Sequence, residues 1–360
     1  MRQRWPRPCS PRPIVLIGGG GIVNDAHLPA YRAIELEVSG IHDPDHERAR
    51  ATAERWEIPG VHATLADALA SDAIFDIAVP PGAVFEVVSA LPEGSACLIQ
   101  KPLGLNLEDA TRIRCICRER KLTAAVNFQL RFSPMMLALQ ALIEAGRLGR
   151  LIELDVHINC RMPWHLWPFM KTLEHMEVAM HSIHYLDAIR GLLGNPRGVW
   201  AQTVKHPEAM ELDSSRTSAI LDYGDDIRCC LSVNHHHQHG ERFEESSMRI
   251  EGTQGAAVLT LGVNLDYPRG RPDTLDIALE GTDWVGVPLE GHWFPDAFRG
   301  PMSNLQRFVA GDDPLLVTAV EDAWHTMALV EACYDSTRAG STPLADDPFH
   351  EHGHSQDETR

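Results

Sequence analysis

The stretch PIVLIGGGGIVNDAHLPAY, residues 13–31, decides the fold expected for the first half of the chain. Its first six residues form a short apolar run that predicts a buried parallel strand, and four glycines and a helical pattern follow. Gly18 and Gly20 form a G-x-G turn, which lets backbone amides and the positive end of a helix approach a pyrophosphate. The third position of this dinucleotide-binding pattern falls on Val23 instead of glycine or alanine, so the motif depends on its context.

Strand and helix patterns alternate from this loop to residue 128. Further strands are predicted at 36–43, 73–80, 95–100 and 122–128, with helices at 45–56, 81–91 and 106–120. The alternation predicts a doubly wound parallel sheet that binds its ligand at the carboxyl ends of the strands. Asp43 ends the second strand, where a carboxylate can accept hydrogen bonds from a ribose; the alternative is a turn residue in HDPDH.

Strand patterns dominate the second half of the chain. They occur at 151–159, 198–204, 216–223, 226–236, 246–252 and 255–261, with helices predicted at 135–145, 172–193, 302–310 and 317–337. This pattern predicts an α+β domain with a large, mostly antiparallel open sheet. We therefore expect a Rossmann domain at 13–128, a substrate-binding and oligomerisation domain at 129–340, and flexible tails at 1–12 and 341–360.

Composition excludes several classes of protein. The 360 residues carry 32 basic and 50 acidic side chains, a net charge of −18, which argues against a nucleic acid or an anionic membrane as partner. No apolar run is long enough to cross a membrane. The eight cysteines form no C-x-x-C pair and indicate reduced thiols, so we expect a cytoplasmic protein.

Seven segments, in order along the chain, carry a resemblance to a known family. They are GGGGIVNDAHLPAY (18–31), VSGIHDPD (38–45), FDIAVPPGAVFEVV (75–88), QKPLG (100–104), NFQLRFSP (127–134), AGRLGRL (145–151) and HSIHYLDAIRGLLGNP (181–196). With them the chain resembles the glucose-fructose oxidoreductase/inositol dehydrogenase/MocA (Gfo/Idh/MocA) family over roughly residues 14–340. The resemblance implies oxidation of a sugar or polyol hydroxyl with NAD(P), in homodimers or homotetramers built on the open sheet.

The resemblance also implies site residues. Cofactor contacts fall on Gly18, Gly20, Gly21, Ile22, Asp43, Val79, Pro80, Pro81, Gln100, Lys101 and Gln129. The family's Glu-Lys-Pro motif begins at Gln100, and its lysine, Lys101, lies near the nicotinamide, where an ammonium stabilises a developing alkoxide and relays a proton. In the Asp-x-x-x-His motif His184 takes the histidine position, but Met180 replaces the aspartate. Lys101 and His184 are thus the expected catalytic pair, in a site re-tuned around His181 and His184; loss of redox chemistry is the alternative.

The helix that carries His184 has other polar residues. His181, His184 and Asp187 can share one face, and Glu177 joins His181 and His184 at positions i, i+4 and i+7. We expect a hydrogen-bonded stripe that lines the substrate cleft instead of a metal site, because zinc helices use a tighter His-x-x-x-His spacing.

Two segments outside this helix are candidates for the substrate site. Trp164, His165 and Trp167 either stack on a sugar ring or pack on a partner subunit, and both alternatives remain open. Trp293 and Asp296 either reach the substrate or belong to the core.

Histidine-rich segments are not expected to bind metal. In NHHHQH (234–239), alternation points His235 and His237 one way and His236 the other, so we expect solvated or interface histidines. The C-terminal His350, His352 and His354 are expected in a frayed tail, with metal binding as a minor alternative.

The sequence therefore predicts an NAD-dependent dehydrogenase of a sugar, sugar acid or polyol. NADP is disfavoured because its 2′-phosphate would meet Asp43 with no arginine immediately beside it, Arg48 being within the next helix. The alternatives are a non-catalytic nucleotide-binding regulator and a redox-neutral epimerase or lyase that retains NAD.

Overall fold

The first half of the chain builds a parallel sheet. The computed structural model describes residues 1–343, so His350, His352 and His354 lie outside the described residues. The strands are β1 (Ile14–Ile17), β2 (Val38–His42), β3 (Gly60–Val61), β4 (Ile74–Ile77), β5 (Ala96–Ile99) and β6 (Thr123–Val126), in the order β3-β2-β1-β4-β5-β6. Strands β1, β4 and β5 are buried along their whole length, as expected for a sheet covered on both faces. The predicted doubly wound Rossmann sheet is confirmed.

Helices cover both faces of this sheet. They are a π-helical turn at Val23–His27 that continues into α1 (Leu28–Ala33), then α2 (His46–Trp56), α3 (Leu65–Leu69), α4 (Val84–Ala90) and α5 (Leu107–Glu119). Asp45, Thr64 and Asn106 begin α2, α3 and α5 with side chains that accept a hydrogen bond from the backbone three residues on. Helix α3 and strand β3 are absent from the predicted elements because they are too short to show a period.

The second sheet has eight strands. After α6 (Pro134–Glu144) come β7 (Leu151–Asn159), β8 (Gly198–Val204), β9 (Arg216–Asp222), β10 (Arg228–Asn234), β11 (Glu245–Gly252), β12 (Gly255–Thr260), β13 (Thr274–Leu279) and β14 (Val285–Gly286). Their order is β14-β13-β12-β11-β7-β10-β9-β8, and every pair is antiparallel except β7 with β10. The mostly antiparallel open sheet is confirmed, and β13 and β14 extend it beyond the predicted strands.

The helix predicted at 172–193 starts later than expected. Two 3₁₀ turns, Trp164–Leu166 and Pro168–Thr172, precede a π-helical turn at Val178–Ser182, which continues into α7 (Ile183–Leu193). The Thr172 hydroxyl bonds back to the Phe169 carbonyl. The Glu177 amide donates to Ser214 instead of joining a longer helix.

The last two helices of the described residues return to the Rossmann domain. Helices α8 (Arg299–Ala310) and α9 (Val320–Ala339) close the fold. Phe298, Met302 and Leu305 pack in the same core as the first strand, and the Val126 amide donates to the Thr318 carbonyl beside β6. Residues within the range predicted for the second domain, 129–340, therefore also pack against the first sheet.

Residues 1–12, predicted to be a flexible tail, lie against the body of the protein. The indole of Trp5 packs edge-on against Phe132, with ring centroids 5.1 Å apart, and its Nε1 donates to Asp313 at 2.8 Å. The amide and carbonyl of Arg12 both bond to the Gln306 side chain. These contacts hold the segment because the indole and the backbone groups each find a partner.

Two further expectations concern the described residues. All eight cysteines are free, and five of them are buried, in agreement with the reduced thiols expected from the sequence. None of the helices within residues 1–343 combines the length and the apolar character needed to cross a membrane.

Candidate functional site

The glycine-rich loop presents bare backbone at the carboxyl end of β1. Gly18 has φ +108°, and a Cβ there would lie 2.4 Å from the Ala78 carbonyl oxygen, so only glycine fits. A Cβ on Gly20 would meet nothing within 4 Å, which leaves this part of the loop open to a ligand. Val23, at the imperfect third motif position, is fully buried. The loop thus has the open backbone that a pyrophosphate requires.

Asp43 lies beside this loop at the end of β2. Its Oδ2 accepts from the Gly19 amide at 2.9 Å, and its Oδ1 accepts from the Asp45 amide at 2.8 Å. Arg48 folds back from α2 and donates from Nε and Nη2, at 3.0 and 3.2 Å. The expectation that no arginine adjoins Asp43 is therefore wrong. Arg48 lies in the first turn of α2, and its long side chain reaches back to the Asp43 carboxylate.

The remaining predicted cofactor residues lie at neighbouring strand ends. Val79, Pro80 and Pro81 follow β4, Gln100 and Lys101 follow β5, and Gln129 follows β6. Gln129 is buried, and its Oε1 has no hydrogen-bond partner among residues 1–343. Parallel strands put all these positions on one edge of the sheet, together with the glycine-rich loop.

Lys101 reaches from this edge to the π-helical turn of the second domain. Its Nζ donates to the Met180 carbonyl at 2.8 Å, while its amide donates to the Gln100 side chain. Burial lowers the pKa of Lys101 to about 8. Met180 stands at the aspartate position of the Asp-x-x-x-His pattern, and the lysine binds its backbone carbonyl.

Two imidazoles lie close to Lys101. Burial, followed by the charge of Lys101, holds the pKa of His184 well below its usual value. The pKa of His181 is also far below the usual value, first because of burial and then because of His235, Lys101 and His184. Both Nδ1 atoms are buried without a hydrogen-bond partner in the described part of the chain. Lys101, His181 and His184 therefore form one electrostatically coupled cluster.

Aromatic rings surround the two imidazoles. Trp293 packs edge-on against His184 with centroids 5.6 Å apart, and Trp164 and Trp167 pack against His181 at 5.2 and 6.1 Å. Trp164 also lines a cavity of about 600 Å³ together with Arg161, Tyr267 and Arg271. Trp164 and Trp167, for which the sequence left sugar stacking and a subunit contact open, thus lie beside His181. His165 is exposed and lines the same cavity as Trp164.

Two predicted substrate residues point elsewhere. Asp187 is buried, and both its oxygens bind the guanidinium of Arg131, at 2.6 and 2.7 Å. Asp296 accepts from the His292 amide at 2.8 Å and pairs with Arg299 at 2.5 Å. Each of these carboxylates makes its contacts within the fold, and an arginine balances its charge.

The histidine-rich segment differs from the expectation. His235 is fully buried, not solvated, because it continues the inward side of β10 after Leu231 and Val233. His236 and His237 are partly exposed, and His239 is exposed. Among residues 1–343 no group of three or more His, Cys, Asp or Glu side chains is arranged to hold a metal ion.

A buried network beneath the cofactor edge was missed at the level of sequence. Asp76, inside β4, accepts from the Tyr31 hydroxyl at 2.8 Å and lies 2.7 Å from His27 Nδ1. His27 Nε2 faces the side-chain amides of Gln100 and Asn127, at 3.4 and 3.3 Å. The available signal was the aspartate in the apolar run IFDI, since a charge in a buried strand requires partners.

Two family models match the chain. Residues 12–128 match an oxidoreductase family with an NAD-binding Rossmann fold, and residues 136–258 match the GFO/IDH/MocA C-terminal domain. Together they cover the parallel sheet and the second sheet from β7 to β11, including Lys101, His181 and His184.

Individual proteins match over most of the chain. A D-apiose dehydrogenase of Paraburkholderia graminis is 26% identical over 338 residues, which are 90% of this chain and 87% of that protein. An inositol 2-dehydrogenase of Corynebacterium glutamicum is 31% identical over 208 residues, 55% of this chain and 58% of that protein. An Agrobacterium radiobacter oxidoreductase, solved with NAD+, L-tartaric acid and magnesium, superposes with a TM-score of 0.76 at 20% identity, covering 92% of this chain and 98% of that one.

Proposed function

The chain belongs to the Gfo/Idh/MocA family of oxidoreductases, and from that premise we propose that it oxidises a hydroxyl of a sugar, sugar acid or polyol with NAD+. The relatives named above, which act on apiose and inositol, support this substrate class. The observation that carries the proposal is the meeting of Lys101 with His181 and His184 at the strand edge that holds the glycine-rich loop.

The residues at this edge fit a dinucleotide. The open backbone at Gly20 and Gly21 suits the pyrophosphate, and Asp43 suits a ribose, with Ile22, Val79, Pro80, Pro81, Gln100 and Gln129 as further contacts. When bound, NAD+ supplies the hydride acceptor. We propose NAD over NADP because the Asp43 carboxylate would repel a 2′-phosphate, and two of the Arg48 donors, Nε and Nη2, are already bound to Asp43.

Lys101 and His184 handle the hydroxyl proton in this proposal. The Lys101 ammonium stabilises the negative charge that develops on the alcohol oxygen. His184, neutral because of its lowered pKa, is ready to accept the proton. Trp164 and Trp167 provide faces on which a sugar ring can stack. The cavity beside Trp164, about 600 Å³, provides room for a ligand of that class.

The open sheet supports a homodimer or homotetramer. Trp200 and Ile220 are paired across β8 and β9 and are 63% and 50% exposed, on the face that carries no helix. With a net charge of −18 and free thiols, we propose a cytoplasmic enzyme that binds neither nucleic acid nor membrane.

Absorbance at 340 nm with NAD+ and a panel of sugars, sugar acids and polyols tests the proposal. We expect NADH to form with at least one polyol, and NAD+ to raise the melting temperature of the protein. NAD+ binding without turnover on any member favours a nucleotide-binding regulator. Product formation without net NADH favours a redox-neutral epimerase or lyase.

A further inference from the structure

A buried acid and a buried histidine lie behind His181. Glu177 and His235 are both fully buried, with His235 Nδ1 3.2 Å from Glu177 Oε1. The same oxygen accepts from the Ser182 hydroxyl at 2.7 Å, and the Thr217 hydroxyl donates to the other oxygen. Two hydroxyl donors hold the carboxylate in one orientation, with its remaining acceptor capacity toward His235.

The His235 ring also packs against His181. The two ring centroids are 4.9 Å apart, with an angle of 50° between the rings. His235 Nδ1, His235 Nε2 and His181 Nδ1 are all buried and have no hydrogen-bond partner among the described residues, so Glu177 lies near His235 without an aligned hydrogen bond. A buried nitrogen without a hydrogen bond is unfavourable. A rotation of the His235 ring that aligns Nδ1 with Glu177 and Nε2 with His181 Nδ1 would give all three nitrogens a partner.

The π-helical turn explains why His181 occupies this position. Residues five apart are neighbours in such a turn, and Ser182 accordingly bonds to Glu177. Met180 keeps its side chain in the core and turns its carbonyl to Lys101. His181, the next residue, therefore lies beside the lysine in place of the missing carboxylate.

We propose that Glu177 and His235 are positioning residues that make His181 a second acid/base group of the cleft. The Glu177 carboxylate accepts from Nδ1–H of His235, whose Nε2 accepts from Nδ1–H of His181. His181 Nε2 then presents its lone pair to the substrate. In the oxidation, which rests on the proposed function, the hydroxyl proton has two possible acceptors, His184 and His181 Nε2, while bound NAD+ would supply the acceptor for the hydride of the carbinol carbon. The Glu177 charge stabilises the imidazolium through His235.

The other groups around this relay do not supply that negative charge. They are Lys101 at the end of β5, His184 and Tyr185 on α7, Cys160 after β7, and Cys333 and Tyr334 on α9. Burial raises the pKa of Cys160 and of Cys333 to about 12 and raises the pKa of both tyrosines, so all four are uncharged at neutral pH. His235, Lys101 and His184 oppose a positive charge on His181, and Glu177 is the carboxylate placed to favour that charge through a neutral His235.

Nitrogen-15 NMR of the histidine-labelled full-length protein tests the relay without requiring turnover. His181→Gln and His235→Gln variants assign the two rings. We expect both to be Nδ1–H tautomers at neutral pH. A His181 ring protonated on Nε2 overturns the proposal, whatever the outcome of the polyol assay.

The pH dependence of turnover tests the role of the charge. Glu177→Gln removes the charge with little change of shape, so it should move the acidic limb of kcat/KM to lower pH and lower kcat at least tenfold, with KM within about twofold. Glu174→Gln is the matched control, because Glu174 is exposed three residues earlier. An acidic limb that stays in place in Glu177→Gln, with NAD+ affinity intact, overturns the relay. If the unmodified protein shows no turnover, only the proposed function is contradicted. The NMR measurement of the two histidine tautomers still tests the relay, because it does not require turnover.

Discussion

Lys101 joins the two domains through one hydrogen bond to Met180, and its substitution tests the chemistry most directly. Lys101→Ala should lower kcat by roughly 10² or more and leave NAD+ affinity nearly unchanged, because the ammonium acts on the developing alkoxide. Since its pKa is about 8, the charge is lost as pH rises through 8, and kcat/KM should fall above that pH. Lys121→Ala, at an exposed lysine paired with Glu93, is the control. Normal turnover in Lys101→Ala would contradict the assignment.

His184 is the second residue at which the mechanism can be tested. His184→Asn should reduce kcat/KM by roughly 10² and change the midpoint of the acidic limb, leaving the limb that belongs to His181. Burial, and after it the charge of Lys101, lowers the pKa of His184. The acidic limb that His184 contributes in the unmodified protein should therefore lie well below pH 6.5 and not near neutrality. Stopped-flow rates between pH 4 and 9 measure it, with His325→Asn, at an exposed position on α9, as control. An unaltered pH–rate profile in His184→Asn would show that a group other than His184 accepts the hydroxyl proton of the substrate.

The preference between NAD+ and NADP+ should depend on Asp43 and Arg48 together. The unmodified protein should bind NAD+ at least about tenfold more tightly than NADP+. Arg48→Ala should widen this preference, because it exposes the Asp43 charge to a 2′-phosphate, and Asp43→Asn should narrow it. Calorimetric titration with both cofactors gives the dissociation constants, and Arg50→Ala, the next arginine in α2, is the control. Equal affinities in the unmodified protein would show that Asp43 serves only the loop.

At the level of elements, α7 is joined to its neighbours by ion pairs. Asp187 on α7 binds Arg131 and accepts from Thr326 of α9 at 2.8 Å, while Arg190 binds Asp322 of α9 at 2.9 Å. These contacts keep the helix that carries His184 in place over the end of the first sheet.

Asp187→Asn should therefore affect stability more than substrate recognition. Removing one partner of a buried ion pair costs about 3 kcal/mol or more, which should lower the melting temperature by several degrees. KM should change little, because the carboxylate points at Arg131. Differential scanning calorimetry and steady-state kinetics measure the two effects, and the exposed Asp226→Asn is the matched control. A large rise in KM with unchanged stability would instead support a role of Asp187 in binding the substrate.

At the scale of the whole molecule, the helix-free face of the second sheet is the expected interface between subunits. Ile220→Asp should dissociate the oligomer, because it places a charge within the apolar patch that Ile220 forms with Trp200. Light scattering coupled to size exclusion gives the mass, and Leu315→Asp, at an equally apolar exposed position between α8 and α9, is the control. An unmodified protein with the mass of a monomer would contradict the proposal.

Local pattern was sufficient for much of this protein. The apolar run before Gly18, the glycine turn and the placement of Asp43, Gln100 and Lys101 at strand ends followed from periodicity, turn chemistry and the topology of parallel sheets. The open antiparallel sheet followed from alternation along its strands. Such features depend on neighbours in sequence or on rules that hold for every sheet of the class.

Only the tertiary structure decided which polar groups meet. Asp187 and His184 share a helix, yet Asp187 is neutralised by Arg131 from a distant segment, while His181 gains Trp164 and His235 from two others. The side chain of Arg48 lies on Asp43, and His235 is buried beside Glu177, although neither contact appears in the spacing. The role of a buried charge or ring nitrogen depends on the partner that the fold places beside it. Its free energy is set by desolvation and by contacts with residues that are remote in sequence.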